Sequence, residues 1–288
     1  MKIFAENENL ILLDVPDFDL EQTFDCGQCF RWEKENGGYF GVAKNRALLI
    51  TKEANRFVLH GTTLDDFNEI WRDYFDLDRD YTKIKTTLQK DKVMKDAIAF
   101  GGGIRLLNQE PFECLISFII SASNNIPRIK KIINLLCENF GEKRTYLGRT
   151  FYTFPTAEKL SSLDLLDLGV IRAGFRDKYI LSAAKAVACG MLDLEALKNS
   201  SLDYAKAELL KLFGVGTKVA DCILLFSLNK YQSFPVDVWI KRIMEHCYFD
   251  KEVPKDVVSA FAEQKFGEYS GFAQQYLFYW ARENKIGI

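Results

Sequence analysis

Leu209-Leu-Lys-Leu-Phe213-Gly214-Val215-Gly216-Thr217-Lys218-Val-Ala-Asp-Cys222 is the stretch from which the rest of the chain is read. The pattern predicts a helix ending at Phe213, two glycines around one apolar residue, and a second helix with Thr217 placed to cap it. Glycines let the backbone turn tightly and approach a surface closely, and the amides that open the second helix point outward at the positive end of its dipole. That arrangement suits a phosphate. A plain helix-turn-helix corner shows the same glycines, so Gly-Val-Gly alone leaves the ligand open. Lys218 stands in the first turn, where the dipole disfavours a cation, and Pro235-Val236-Asp237 opens another helix nineteen residues later. Desolvated there, the lysine amine becomes a usable nucleophile. Taken singly, a solvated lysine and an ordinary N-cap aspartate are sufficient readings; together, beside a phosphate site, they point to chemistry.

Outward from the hairpin, the pattern is helical from about Tyr81. Helices are expected over 111–121, 126–140, 156–163, 177–188, 204–213, 217–228, 238–247, 255–266 and 271–282, from apolar spacings of three and four. The first ninety residues differ. Ile11 to Val15, Tyr39 to Val42, Ala47 to Thr51 and Arg56 to Leu59 are short aliphatic and aromatic runs separated by turn material, as in an antiparallel sheet. The expected fold is α+β: an N-terminal sheet domain over 1–90 packed on an all-helical unit over 91–288. No repeat or low-complexity linker separates them, so the two should pack directly, with two helical subdomains around a cleft.

Composition bounds the alternatives. The chain has 288 residues, 48% hydrophobic and 27% charged, which excludes a disordered or collagen-like polymer. The most apolar run, Cys114 to Ala122, is interrupted by two serines and falls far short of the roughly 20 residues a bilayer core requires, so no membrane partner is expected. Residues 1–14 carry no signal-peptide core, which makes a cytoplasmic location the expectation. Seven cysteines are then read as reduced thiols, and Cys26-Gly-Gln-Cys29 has neither a second Cys-x-x-Cys nor a nearby histidine to complete a metal site. No metal and no cofactor are expected. A net charge of −2 argues against nonspecific coating of nucleic acid but leaves room for a local basic face.

Ordered motifs along nearly the whole chain decide among these readings. They are Phe24-Asp-Cys26-Gly27-Gln28-Cys29-Phe30-Arg31-Trp32, Trp71-Arg-Asp-Tyr74-Phe-Asp-Leu-Asp78-Arg-Asp80-Tyr81, Gly103-Ile-Arg105-Leu-Leu107-Asn-Gln-Glu-Pro111-Phe-Glu113, Ser123-Asn124-Asn125-Ile-Pro-Arg128, Gly174-Phe175-Arg176, the hairpin through Cys222, Pro235-Val-Asp237-Val and Gly271-Phe-Ala-Gln274-Gln-Tyr-Leu-Phe278. The chain resembles the 8-oxoguanine DNA glycosylase/AP lyase family of the helix-hairpin-helix glycosylase superfamily. The resemblance implies a sheet domain like that of the TATA-binding protein, and a monomer whose partner is double-stranded DNA containing oxidised guanine. It implies a bifunctional enzyme that flips out and excises 8-oxoguanine and then cleaves the strand.

The resemblance also distributes roles. Lys218 is the implied nucleophile through a Schiff base, and Asp237 its carboxylate partner. Gly27, Cys222, Gln274 and Phe278 are the implied base pocket, with the Gly27 carbonyl accepting the N7 hydrogen that only the oxidised guanine has. Gln274 and Phe278 are four apart and share a helix face, so an amide that bonds a purine edge sits beside a ring that stacks on it. Gly214, Gly216 and Trp239 fall at DNA-backbone positions, Trp239 replacing a histidine of animal members. Phe175 is the implied wedge filling the gap left by the flipped base, with Asn125, Arg128 and Arg176 facing the opposite base. Animal members have three asparagines where this chain has Ser123-Asn124-Asn125. Only Cys247 follows Asp237, which excludes the iron-sulfur branch. Two other readings stand beside this one. A monofunctional alkylated-purine glycosylase would lack the hairpin lysine, and a non-catalytic helix-hairpin-helix module would need neither Lys218 nor Asp237.

Overall fold

A computed structural model describes residues 1–35 and 37–286. The N-terminal sheet has six antiparallel strands in the order β1-β2-β6-β5-β4-β3, with β1 Lys2–Glu6, β2 Asn9–Leu13, β3 Trp32–Glu35, β4 Gly38–Ala43, β5 Arg46–Glu53 and β6 Arg56–Leu59. Four of these lie where the sequence places them. β1 and β3 were not expected, because β1 is an exposed edge strand and β3 reads Trp-Glu-Lys-Glu, with a single buried side chain to signal the pleat.

Alternation along the strands gives the sheet two apolar faces. Leu10, Leu12, Tyr39, Leu48, Ile50, Phe57 and Leu59 face one way, into an aromatic core with Phe24, Trp32, Trp71, Tyr74 and Phe75. Phe24 stacks on Trp32 at 4.1 Å, and the Trp32 indole donates to the Tyr74 hydroxyl at 2.8 Å. Phe40, Val42 and Ala47 face the other way and are covered by Phe151 and Tyr146. Those two belong to a hairpin, β7 Lys143–Tyr146 with β8 Arg149–Tyr152, set within the part of the chain expected to be helical throughout. Its turn is Leu147-Gly148, both at positive φ, a geometry that glycine tolerates and hairpin twist favours. The helical unit thereby covers the outer face of the sheet.

The helical unit is built around Pro111–Ser121, every residue of which except Ser121 is buried. Helix Thr217–Ser227 packs along it, with Phe118 stacked on Phe226 at 5.4 Å. Helix Ser270–Asn284 packs on Lys92–Gly101 and Val238–Met244. The apolar core changes from sheet to helical cluster between Leu77 and Tyr81, although Cys26 and Phe30 lie in the helical core and Leu107 in the sheet core.

That interdigitation is fixed by buried polar groups at the seam. The Gln28 side chain is fully buried, donates to Thr23 O at 2.9 Å and Arg105 O at 2.8 Å, and accepts from the Leu107 amide at 2.9 Å. Gln109 Nε2 donates to Gln28 O at 2.7 Å. Arg105, 1% exposed, donates to Asp76 O at 2.6 Å and Pro16 O at 2.8 Å and lies over the Tyr81 ring. Unpaired, each of these groups would destabilise the fold, so the set specifies one docking of sheet on helices.

The aromatic core leaves no room at Gly41, where an added Cβ would lie 2.1 Å from Trp32 Cδ2. Gly41→Ala is expected to lower stability by about 1–3 kcal/mol through overpacking, seen as a reduced denaturant midpoint at unchanged slope. An unchanged midpoint would show that the Trp32 stack is soft.

Candidate active site

Helix Leu202–Leu210 leads into the hairpin turn and helix Thr217–Ser227 leaves it. Gly214 adopts φ +87°, and a Cβ there would lie 2.3 Å from the Tyr179 ring, so both conformation and packing demand glycine. Val215 is buried and anchors the turn. The N-cap is Gly216, with no side-chain cap, and not Thr217 as the sequence suggested. The correction has a physical reason: extended backbone at Gly216 puts Thr217 already inside the helix. Nothing lies within 4 Å of where a Gly216 Cβ would be, so the turn is open at Gly216, and the first-turn amides have no side-chain cap.

Lys218 projects from this first turn. Its Nζ lies 3.4 Å from Ser121 Oγ and 5.1 Å from the centre of the Phe118 ring. The Ser121 hydroxyl donates to Phe118 O at 2.8 Å, which leaves its lone pairs toward the amine. Asp237 caps helix Val238–Met244, accepting from the Ile240 amide at 2.8 Å. Burial pushes its carboxyl above the ordinary carboxylate range, opposed by the Ile240 amide and by the charge of Lys218. The N-cap reading and the functional reading of Asp237 therefore describe one geometry. Cys222, one turn beyond Lys218, is buried, and burial pushes its thiol up to about 11, so it is present as the neutral thiol.

The pocket side is assembled from distant segments. Gln274 is buried on helix Ser270–Asn284, donates to Pro235 O at 3.3 Å and accepts from Gln275 at 2.8 Å, tying this helix to the extended segment that leads into Asp237. Gly27, at φ +80° in a turn of the sheet domain, lies over Phe278: a Cβ on it would sit 3.2 Å from Phe278 Cε1. Lys218, Asp237, Cys222, Gln274, Phe278 and Gly27 thus converge from four parts of the chain.

The remaining expected residues lie at the rim. Phe175 is 54% exposed in the Gly174–Arg176 turn, where an aromatic side chain is normally packed away. Asn125 is the exposed N-cap of helix Ile126–Phe140 and accepts from the Arg128 amide, and the Arg128 side chain is exposed. Trp239 is half-buried in the first turn after Asp237. Arg176 corrects the expectation of a free base-reading arginine. It is 2% exposed, donating to Ala122 O at 2.6 and 3.0 Å, Ser123 O at 2.9 Å and Ala173 O at 3.1 Å. Carbonyls of the turn at Ser123, itself at φ +49°, claim its donors and hold that turn in place.

Ser121, Phe118, Phe213 and Arg282 were missed. Phe213 is 56% exposed and meets Tyr179 edge-on at 4.7 Å, and Phe175 packs on the same ring. Helical spacing carried a signal for Arg282, which is four beyond Phe278 and eight beyond Gln274. Among the described residues no three His, Cys, Asp or Glu side chains group as metal ligands, and Cys26 and Cys29 donate to Thr23 O and Phe24 O.

Two family models cover this architecture: residues 10–115 match the 8-oxoguanine DNA glycosylase N-terminal domain, and 116–267 the HhH-GPD superfamily base excision DNA repair protein. The chain belongs to the 8-oxoguanine DNA glycosylase family. A probable N-glycosylase/DNA lyase of Methanothermobacter thermautotrophicus is 32% identical over 95% of this chain and 96% of its own length. The N-glycosylase/DNA lyase OGG1 of Arabidopsis thaliana is 31% identical over 91% of this chain and 77% of its own. The solved 8-oxoguanine glycosylase/lyase of Clostridium acetobutylicum, in complex with double-stranded DNA containing cytosine opposite 8-oxoguanine, superposes with a TM-score of 0.97 at 44% identity over 99% of both chains. The 3-methyladenine DNA glycosylase of Archaeoglobus fulgidus, 21% identical with a TM-score of 0.78 over 94% of this chain and 98% of that one, shares the fold.

Within this family geometry, two outcomes are expected. Gly27→Ala forces a residue with a side chain to φ +80° and pushes its methyl at Phe278, so lesion excision should fall by about tenfold or more while thermal stability drops only by about 1 kcal/mol. Retained excision would remove Gly27 from the pocket. Only an ionised Asp237 carboxyl could stabilise positive charge, and its raised pKa means that this form is lost as pH falls through a value above the ordinary carboxylate range. The rate of base excision should show that acid limb, and Asp237→Asn should flatten it at a strongly reduced rate.

Proposed function

We propose that the chain excises 8-oxoguanine from duplex DNA with Lys218 as nucleophile and then cleaves the strand at the resulting abasic site. The observation that carries the reading is the amine of Lys218, held between Ser121 and the Phe118 ring at the positive end of its helix, with its charge acting on the half-buried carboxyl of Asp237. Family membership supports it, as do relatives named N-glycosylase/DNA lyase.

Excision separates the base from C1′ with its bonding electrons, leaving cationic character on the sugar. Asp237 stabilises that charge, and the Lys218 amine, having given up a proton, forms the new bond to C1′. The departing base takes up a proton. Opening of the sugar ring gives a Schiff base, which acidifies the C2′ hydrogen; its removal expels the 3′ phosphate by β-elimination, and hydrolysis returns the free lysine. No electron acceptor is needed at any step.

Reaching the base requires flipping, which costs a few kcal/mol of unstacking. Phe175 fills the gap, and the hairpin amides at Gly216 hold the phosphate backbone with Gly214 and Trp239 alongside. Phe278 and Cys222 sandwich the base, Gln274 bonds its pyrimidine edge, and the Gly27 carbonyl accepts from N7–H. Guanine presents a lone pair there and is refused. Asn125 and Arg128 face the opposite base, and Arg176 acts through the turn it braces. We read the protein as a monomer working in the cytoplasm without a cofactor. The alkylated-purine reading has no use for Lys218.

Incubation with an 8-oxoguanine duplex and borohydride should give a covalent adduct. Lys218→Gln should abolish both base release and adduct while leaving duplex binding nearly intact, since the hairpin amides remain. An adduct surviving in this variant would assign the nucleophile elsewhere.

A further inference from the structure

Arg282 has no role in the reading above, yet it reaches the pocket from the same helix face as Gln274 and Phe278. Its Nη2 donates to Asp25 O at 2.5 Å, and its Nε and Nη2 also rest on Glu283 at 2.9 and 2.8 Å. The guanidinium carbon lies 5.4 Å from the centre of the Phe278 ring. Nη1 is buried and has no hydrogen-bond partner among the described residues. That nitrogen lies 3.6 Å from where a Gly27 Cβ would be, the same point that Phe278 Cε1 approaches to 3.2 Å. A turn from the sheet domain, a stacking ring and an orphaned charged donor therefore meet at one spot. Burying such a donor is costly unless something accepts from it.

We propose that Arg282 is a specificity-determining residue of the base pocket. Nη2 holds the Asp25–Gly27 turn, and with it the Gly27 carbonyl, against Phe278, while Nη1 donates to an oxygen of the flipped base beside N7. The inference rests on the pocket reading of Gly27, Gln274 and Phe278 given above. The chemistry of the lesion fits it. In 8-oxoguanine the N7 hydrogen is flanked by O6 and O8, so its edge alternates acceptor, donor, acceptor. A carbonyl beside a guanidinium nitrogen offers the complement of two adjacent positions of that edge. With the lesion bound, the orphaned donor gains its acceptor, and this happens only when the base stands at the height that also satisfies the Gly27 carbonyl.

The test compares two duplexes, one containing 8-oxoguanine and one containing a preformed abasic site, which has no base to read. Arg282→Met keeps the unbranched stem and removes the guanidinium. We expect single-turnover release of 8-oxoguanine to fall about tenfold or more, as for loss of a charged hydrogen bond, with strand cleavage at the abasic site within about twofold of wild type because Lys218 is untouched. Arg282→Lys, which keeps one charged donor, should fall between the two. Equal losses on both duplexes, or unimpaired excision, would overturn the proposal. A wild-type protein that cleaves the abasic duplex but releases no 8-oxoguanine would instead refute the pocket reading on which it rests.

Discussion

The buried amide of Gln28 sets the geometry on which the site depends. Its side chain bonds to the backbone on both sides of the seam, at Thr23 in the sheet domain and at Arg105 and Leu107 in the segment entering the helical unit. The residue before it is Gly27, whose turn lies on Phe278. An amide with no access to water has to satisfy its donors and acceptor in place, which allows little sliding of one unit on the other. A recognition contact that distinguishes one hydrogen on a base needs that rigidity, because a shift of a fraction of an ångström changes a hydrogen bond into a repulsion.

A second constraint links Phe175 to the hairpin. Gly214 is in contact with the Tyr179 ring, which meets Phe213 on one side and Phe175 on the other. The hairpin turn and the exposed Phe175 therefore belong to one packed ridge. Arg176 extends it by holding Ala122 and Ser123, and the same helix end presents Ser121 to Lys218. Phe175, the turn at Ser123 and Lys218 are thus joined through one continuous set of packed and hydrogen-bonded groups.

Much of this was legible in the chain. Helices over 111–121, 126–140, 177–188 and 255–266 lie where apolar periodicity puts them, because long segments average out local exceptions. The hairpin and Lys218 were legible because each breaks a local rule, glycines flanking a buried valine and a cation at a helix N-terminus, and Asp237 because it follows one as a helix N-cap. The misses have physical causes. β3 buries only Trp32, and a strand with one inward residue has no alternation to read. The Lys143–Tyr152 hairpin exists to cover Phe40 and Val42, a requirement set by residues a hundred positions earlier. Arg176 looks like any surface arginine until the carbonyls of residues 122 and 123 are placed against it.

The sequence by itself determined the two-part fold and the hairpin, which follow from local propensity and periodicity, and singled out Lys218 and Asp237 as the candidate pair through residue chemistry and ordered motifs. The tertiary structure alone decided which groups surround them: Ser121 and Phe118 on the amine, Gly27 against Phe278, and the orphaned nitrogen of Arg282 beside both. Contacts between segments far apart in the chain depend on how two cores dock, and no local pattern encodes that docking. It is fixed only when buried polar groups such as Gln28 and Arg105 have found their partners, and the site comes into being with it.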